Sequence, residues 1–395
     1  MWAVTFPHTA TFLIFAFLYY FVEKIIPVAV VIIIIAVVDG LYLFYPGNNS
    51  HVNTSTTSSV GTTSVSTTIS NSSTVVVTHN TTISTTTSSS TSIITTTIPH
   101  YTNEQYLMVF LACDTVTSNC ASPMGHMTYL AQSNNGKNYT LYPEFKPYLG
   151  SVPDLVDSNG TLYIYNPGQY ITFNISIGTE SSVKPVTLSY SNGTQAVGFV
   201  DPSPILNKNG TIILFYMPAI LGQDPAQCPT GQASCTKDIM SATEVKGSNG
   251  SAFVIDSGVR VSIQISSPET ASDQAIFATP SGYVLLISQG QSTLAFSSSN
   301  LQGNYTAIQG LSSGMLAQQG AGGVPSGFYN PSTGQYFIYV TSGSNPSSPS
   351  VIKLATVSSL NSTISSSAFS TILSGCNIPS LGCNYTVESP GVFPK

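Results

Sequence analysis

A hairpin unit recurs from residue 151 onward in this chain, and it constrains the fold more than any other feature. Ser151-Val-Pro-Asp-Leu-Val-Asp-Ser-Asn-Gly160-Thr-Leu-Tyr-Ile-Tyr165 is the first complete copy. Asp201–Phe215, Ser272–Leu286 and Val324–Ile338 repeat it, each as strand, tight Gly turn and strand. Turn signals at Asn159-Gly160, Asn209-Gly210, Ser281-Gly282 and Thr333-Gly334 mark the tips. Fixed-period self-similarity of this kind is the signature of a repeat architecture. The apolar runs YLMVFLA, TLYIYN, IILFYM, YVLLIS and YFIYV have strand character, and no segment carries a convincing amphipathic helix.

A second strand-like element is expected after each hairpin: Thr128–Ser133, Thr187–Ser191, Ser292–Ser297 and Val351–Thr356. Polar turns and a further short strand follow, as at Asn135–Thr140 and Gly303–Thr306, giving four strands per repeat. The ends complete the count. Residues 104–112 read as a middle strand lacking a first strand, and Glu388-Ser-Pro-Gly-Val-Phe393 reads as a first strand lacking a second. Joined, they make a fifth repeat. The expected fold is all-β: a five-bladed β-propeller closed between its N- and C-terminal strands. A β-sandwich with similar strands leaves the complementary end pieces unexplained.

The rest of the chain differs in kind. Residues 1–46 are almost wholly apolar apart from Glu23, Lys24 and Asp39, and Ile25–Tyr45 is long enough for one bilayer span. Met1–Val22 supplies a second span or is part of a single anchor. Lys24 is the only Lys or Arg before Lys137 and should sit on the cytoplasmic side, which puts the C-terminal bulk outside the cell. Residues 47–99 form a stalk: 32 of the 48 residues from Ser50 to Thr97 are Ser or Thr. Such a segment buries too little apolar surface to offset its chain entropy, so a disordered, O-glycosylated spacer is expected. Residues 100–395 are the propeller head. The expected partners are a lipid bilayer for the anchor and glycans or surface-layer proteins for the head.

Only 7% of the 395 residues are charged, with 10 Lys and Arg against 16 Asp and Glu. A nucleic-acid partner is excluded, because counterion release needs a basic stripe. Solubility must rest on hydroxyls, amides and sugar. Sequons stand at Asn48, Asn53, Asn71 and Asn80 in the stalk. Others stand at Asn138, Asn159, Asn174, Asn192, Asn209, Asn249, Asn304, Asn361 and Asn384 in the head. The six cysteines form three C-x6-C pairs: Cys113/Cys120, Cys228/Cys235 and Cys376/Cys383. The triplicated local spacing favours local disulfides, which persist outside the cell. It is not the C-x2-C of zinc sites, and no dinucleotide, P-loop or nucleophile-elbow motif is present. Neither a metal nor a cofactor is expected. In propeller topology all three staples should rim one face, where propellers bind ligands. The combination of scarce charge and dense sequons resembles surface proteins of archaea.

Four of the few acids lie at the starts of the channel-lining strands: Asp154, Asp201, Asp273 and Glu388. Paired carboxylates are what glycoside hydrolysis requires, one to protonate the leaving oxygen and one as base or nucleophile. Val152-Pro153-Asp154 and Asp201-Pro202-Ser203 resemble two strands of the five-bladed glycosidases of glycoside hydrolase family 43 and its furanosidase relatives, and the likeness covers most of residues 104–393 as a repeat pattern. That resemblance implies catalytic roles for Glu388, Asp201 and Asp273. Two departures stand beside it: Glu388-Ser-Pro resembles the family's acid motif but falls in the blade of its base, and Asp273 reads one place out of column. Asp154 and His126, the latter beside the Cys113/Cys120 loop, are candidate ligand-binding residues at the mouth. Two functions follow: a cell-surface recognition or envelope protein with carbohydrate as ligand, or a tethered glycoside hydrolase.

Overall fold

The computed structural model describes residues 106–343 and 348–395. The proposed anchor and stalk, Asn48, Asn53, Asn71 and Asn80 included, lie outside the described residues. Among the described residues no helix is long and apolar enough to cross a membrane.

Five antiparallel-ordered sheets make the five blades. The closing blade pairs Tyr385–Pro394 with Tyr106–Asp114, then Met127–Ser133 and Thr140–Leu141. Blade one runs Asp154–Ser158, Thr161–Asn166, Gln169–Asn174 and Thr179–Glu180. Blade two runs Phe199–Leu206, Ile212–Pro218, Ser234–Glu244 and Ala252–Ile255. Blade three runs Ala271–Thr279, Gly282–Gln289, Ser292–Ser298 and Thr306–Ala307. Blade four runs Gly323–Asn330, Gln335–Ser342, Val351–Val357 and Ser370–Leu373. The last strand of the chain is therefore the first strand of the blade that the N-terminal side of the head begins, with Leu107 opposite Phe393 and Leu111 opposite Glu388.

The five blades have five hydrophobic junctions, and the middle strands supply both sides. Tyr106, Met108 and Phe110 pack against Phe328, Phe337 and Tyr339 of blade four. Leu107 and Val109, on the opposite face of the same strand, pack against Leu155, Leu162 and Ile164 of blade one. Successive strand residues point to opposite faces. A blade sandwiched between two others must therefore be apolar on both, and its middle strand shows no alternation at all. The remaining junctions join blades one and two, two and three, and three and four.

One expected strand has a different place. Thr187–Ser191 does not follow the first hairpin as its third strand. Asn166 turns through Pro167-Gly168, where Gly168 has φ 72°, directly into Gln169–Asn174. That segment buries Tyr170, Ile171 and Phe173, so the third position is filled at once. Thr187–Ser189 instead adds to the outer edge of blade two, parallel to Ala252–Ile255.

Candidate functional site at the propeller mouth

Each innermost strand begins with the same backbone irregularity. Val152, Asp201, Asp273, Val324 and Ser389 all have left-handed φ, at 46°, 51°, 50°, 47° and 52°. Pro153, Pro202, Gln274, Pro325 and Pro390 follow them. Pairing with the second strand skips here, between Val200 and Ser203, Ser272 and Ala275, and Gly323 and Ser326. These are β-bulges, devices that re-aim side chains at barrel and channel rims. They correct the expected columns. Asp273 is level with Asp201, not displaced from it. Glu388 lies one residue before its bulge, and Asp154 lies two residues after, level with Ser203. Column position is set by the left-handed residue, which has no fixed identity, so the sequence does not display the register.

The bulges lock neighbouring blades. Asp201 Oδ2 accepts the Asp273 N–H at 3.0 Å, and Gln274 donates its side-chain amide to the Asp201 carbonyl. Ser203 donates to Asp154 Oδ2 at 2.7 Å and accepts the Ile276 N–H at 3.1 Å, so one hydroxyl ties three blades. Thr341 and Ser288 accept the N–H groups of Ser389 and Val324 in the same way, each at 3.0 Å.

Asp201 and Asp273 meet on this rim, and the charge of Glu388 reaches Asp273. Asp201 is 8% exposed, while Asp273 and Glu388 are half-buried. Burial, and then the charge of Asp273, raises the Asp201 carboxyl well above its ordinary range. Asp273 is pushed up to about 6, chiefly by burial; its hydrogen bond from Ser272 opposes this, and the charges of Glu388 and Asp224 add to it. Glu388 Oε1 accepts the Thr386 hydroxyl at 2.8 Å. Asp154 stands apart, deeper in the channel. Burial lifts it to about 7 against the hydrogen bonds from Ser203 and the Leu155 N–H. Asp154, Asp201, Asp273 and Gln274 line a void of about 20 Å³, room for a single water. Gln274 Oε1 is buried there without a partner.

His126 is not an open mouth residue. It is 9% exposed, and both ring nitrogens are occupied, Nδ1 at 2.8 Å from Ser151 Oγ and Nε2 at 3.0 Å from the Cys120 carbonyl. A carbonyl only accepts, so Nε2 carries the proton. The ring ties the Cys113 loop to the start of blade one.

Sequence reasoning does not single out Asp224. It sits just ahead of the loop closed by Cys228 and Cys235, where its carboxylate accepts from Ala226 N–H and Gln227 Nε2 at 2.9 and 2.8 Å. That segment is hydrogen-bonded onto the start of blade three by Ala271 N–H to the Ala226 carbonyl at 3.0 Å, two residues from Asp273. Its position four residues before a cysteine on the mouth side is the available signal.

All three cysteine pairs are disulfides: Cys113–Cys120, Cys228–Cys235 and Cys376–Cys383, with Cα–Cα distances of 5.8, 5.5 and 4.1 Å. In the third, Cys376 and Cys383 are both exposed. The segment between them folds back on itself through Ile378 N–H to the Gly375 carbonyl at 3.2 Å and Leu381 N–H to the Ile378 carbonyl at 3.0 Å. Tyr385 N–H then bonds the Gly382 carbonyl at 3.2 Å. Thr115 donates its N–H and hydroxyl to the Asn384 carbonyl at 3.0 and 2.7 Å, bringing the first and third staples together.

Eight of the nine head sequon asparagines are exposed; Asn174 is half-buried and accepts from Ser176 and Ile177 N–H. Among the described residues no three His, Cys, Asp or Glu side chains are placed to share a metal ion.

No protein-family model matches the chain, and no curated protein matches it. Solved structures similar to it include glycoside hydrolases. A GH43_1 enzyme from Xanthomonas citri complexed with xylose aligns with 14% identity and a TM-score of 0.44, over 65% of this chain and 84% of that one. A family 43 β-xylosidase/α-arabinofuranosidase from a compost metagenome aligns with 13% identity and a TM-score of 0.44, over 67% and 92%. The native arabinanase of Bacillus subtilis aligns with 14% identity and a TM-score of 0.38, over 61% and 80%. At these values the similarity carries no residue correspondence.

Proposed function

We propose that the head is a carbohydrate-acting propeller that hydrolyses glycosidic bonds at the Asp201, Asp273 and Glu388 rim. The observation that carries this is the contact of Asp201 with Asp273 across two blades, with burial raising both carboxyls and the charge of Glu388, from a third blade, reaching Asp273. Asp273 is the proton donor, because burial and two neighbouring charges keep it protonated to about pH 6. Glu388 is the base or nucleophile on the neighbouring rim. Asp201 is a positioning residue that holds the Asp273 backbone. Residues 1–46 anchor the chain in a membrane, residues 47–99 are a glycosylated stalk, and the head lies outside the cell with sugar on its exposed sequons, as on archaeal surfaces.

A second reading has its own support. The void among the acids holds about 20 Å³, whereas pockets that engulf a small molecule hold about 300–1,000 Å³. A rim too narrow to engulf a sugar suits recognition of glycans on the face, without turnover, with surface-layer proteins as further partners. Full-length protein should be tested on arabinosides, xylosides and fructosides and on a glycan array. The hydrolase reading expects turnover that falls about 10²–10⁴-fold in Asp273→Asn and in Glu388→Gln. Array binding with no turnover selects recognition, and silence in both removes carbohydrate as the ligand class.

A further inference from the structure

The far end of the channel is built differently from the mouth. There the downstream halves of all five innermost strands enclose a cavity of about 360 Å³. Its wall is apolar and aromatic: Val156, Leu206, Ile276, Phe277, Phe328 and Phe393. The floor is the Asp154 and Ser326 layer, which separates it from the mouth. Both Asp154 oxygens are committed, to Ser203 and to the Leu155 N–H. Ser326 accepts the Val392 N–H at 3.1 Å, and its hydroxyl proton remains free to donate. No Lys, Arg or His lines the space.

We propose that this cavity is a binding site for a small, uncharged, largely apolar molecule of about two fused rings or equivalent bulk, with one hydrogen-bond acceptor directed at the Ser326 hydroxyl. An apolar cavity of about 150 Å³ lined by Leu, Ile and Phe accommodates benzene and stays dry when empty. This one has more than twice that volume and the same kind of lining. Water there forfeits hydrogen bonds, and displacing it onto an apolar ligand is favourable in proportion to the area covered. An anionic ligand finds no cationic partner there and loses its hydration, and a cation meets only Asp154, whose two oxygens are already hydrogen-bonded. Five rigid strands supply the walls, so the site is preformed and costs little ordering on binding. The site does not depend on the carbohydrate reading, because the Asp154 layer lies between the two.

The test is fluorine NMR of 6-fluoroquinoline, an uncharged two-ring probe with one acceptor nitrogen, titrated with the full-length protein. Saturable binding is expected. Ala278 is exposed and Leu206 half-buried at the cavity rim, so Ala278→Trp and Leu206→Trp fill the entrance from positions that tolerate bulk. Each should weaken binding about tenfold or more at unchanged melting temperature, with two variants guarding against one that fails to fold. The mouth-loop variant Asp224→Asn should bind the probe as the unmodified chain does. Absence of saturable binding up to the probe's solubility limit, or binding that both folded Trp variants leave unchanged, overturns the proposal.

Discussion

At the scale of single residues, the ring of left-handed positions concentrates the strain of this head. A β-branched residue at positive φ is held against its steric preference. Val324 is one such residue and is half-buried, so little packing is lost by replacing it. Val324→Asn should stabilise the protein by up to about 1 kcal/mol, since Asn tolerates the left-handed region; chemical denaturation measures it. Gly391 is the opposite case. A Cβ there would stand 2.4 Å from Asp154 Oδ1 and 2.7 Å from its Cα. Gly391→Ala should destabilise by about 1–3 kcal/mol through overpacking, read in the same experiment. Asp154 gives a pH signature. Its carboxyl binds the proton more tightly folded than unfolded, because burial raises it from 3.8 to about 7. The folded state then holds more protons than the unfolded state across that window, so stability falls as pH rises from about 4 through 7. Asp201 and Asp273, also raised, slope the same way. Melting temperatures against pH should show this fall, and Asp154→Asn should flatten it. A curve that climbs from pH 4 to 7 would show that these carboxyls are not buried in this way.

At the scale of elements, the loop stapled by Cys228 and Cys235 links a disulfide to the acid chemistry. It directly follows Asp224, whose charge raises Asp273. Removing both cysteines as Cys228→Ala/Cys235→Ala should cost about 2 kcal/mol, the lower end for a short closed loop. It should also move the Asp273 titration downward, as the loop drifts from the rim. Carboxyl NMR titration reads the second effect, and an Asp273 midpoint unmoved by a loosened loop would refute the link. The middle strands teach a different lesson. Their unbroken apolar runs are ambiguous by periodicity alone. Repetition resolves them, because four copies share a turn at the same place. Thr187–Ser189 escapes that logic because an edge strand joins wherever an unpaired ladder lies near, and sequence order does not record nearness.

At the scale of the whole molecule, closure makes the five blades one cooperative unit. Tyr385–Pro394 is the innermost strand of the closing blade and packs through Val387 and Val392 into the same junction as blade four. Deleting residues 385–395 should abolish the cooperative thermal transition of the head, not trim one blade from it; circular dichroism would detect a surviving transition and refute this. The complementary end pieces, the hairpin repeats and the three local cysteine pairs were all legible in the sequence. Each depends on neighbours in the chain or on one long-range match between two ends. The contact of Asp201 with Asp273, and the reach of the Glu388 charge to Asp273, were legible only as a set of strand starts. Their columns, the reach of Asp224, the enclosure of His126 and the apolar cavity were decided by tertiary structure. The physical reason is that a bulge shifts a side chain's direction without a fixed residue signature. Burial and charge proximity likewise arise from segments far apart in sequence, brought within hydrogen-bond reach only when the ring closes.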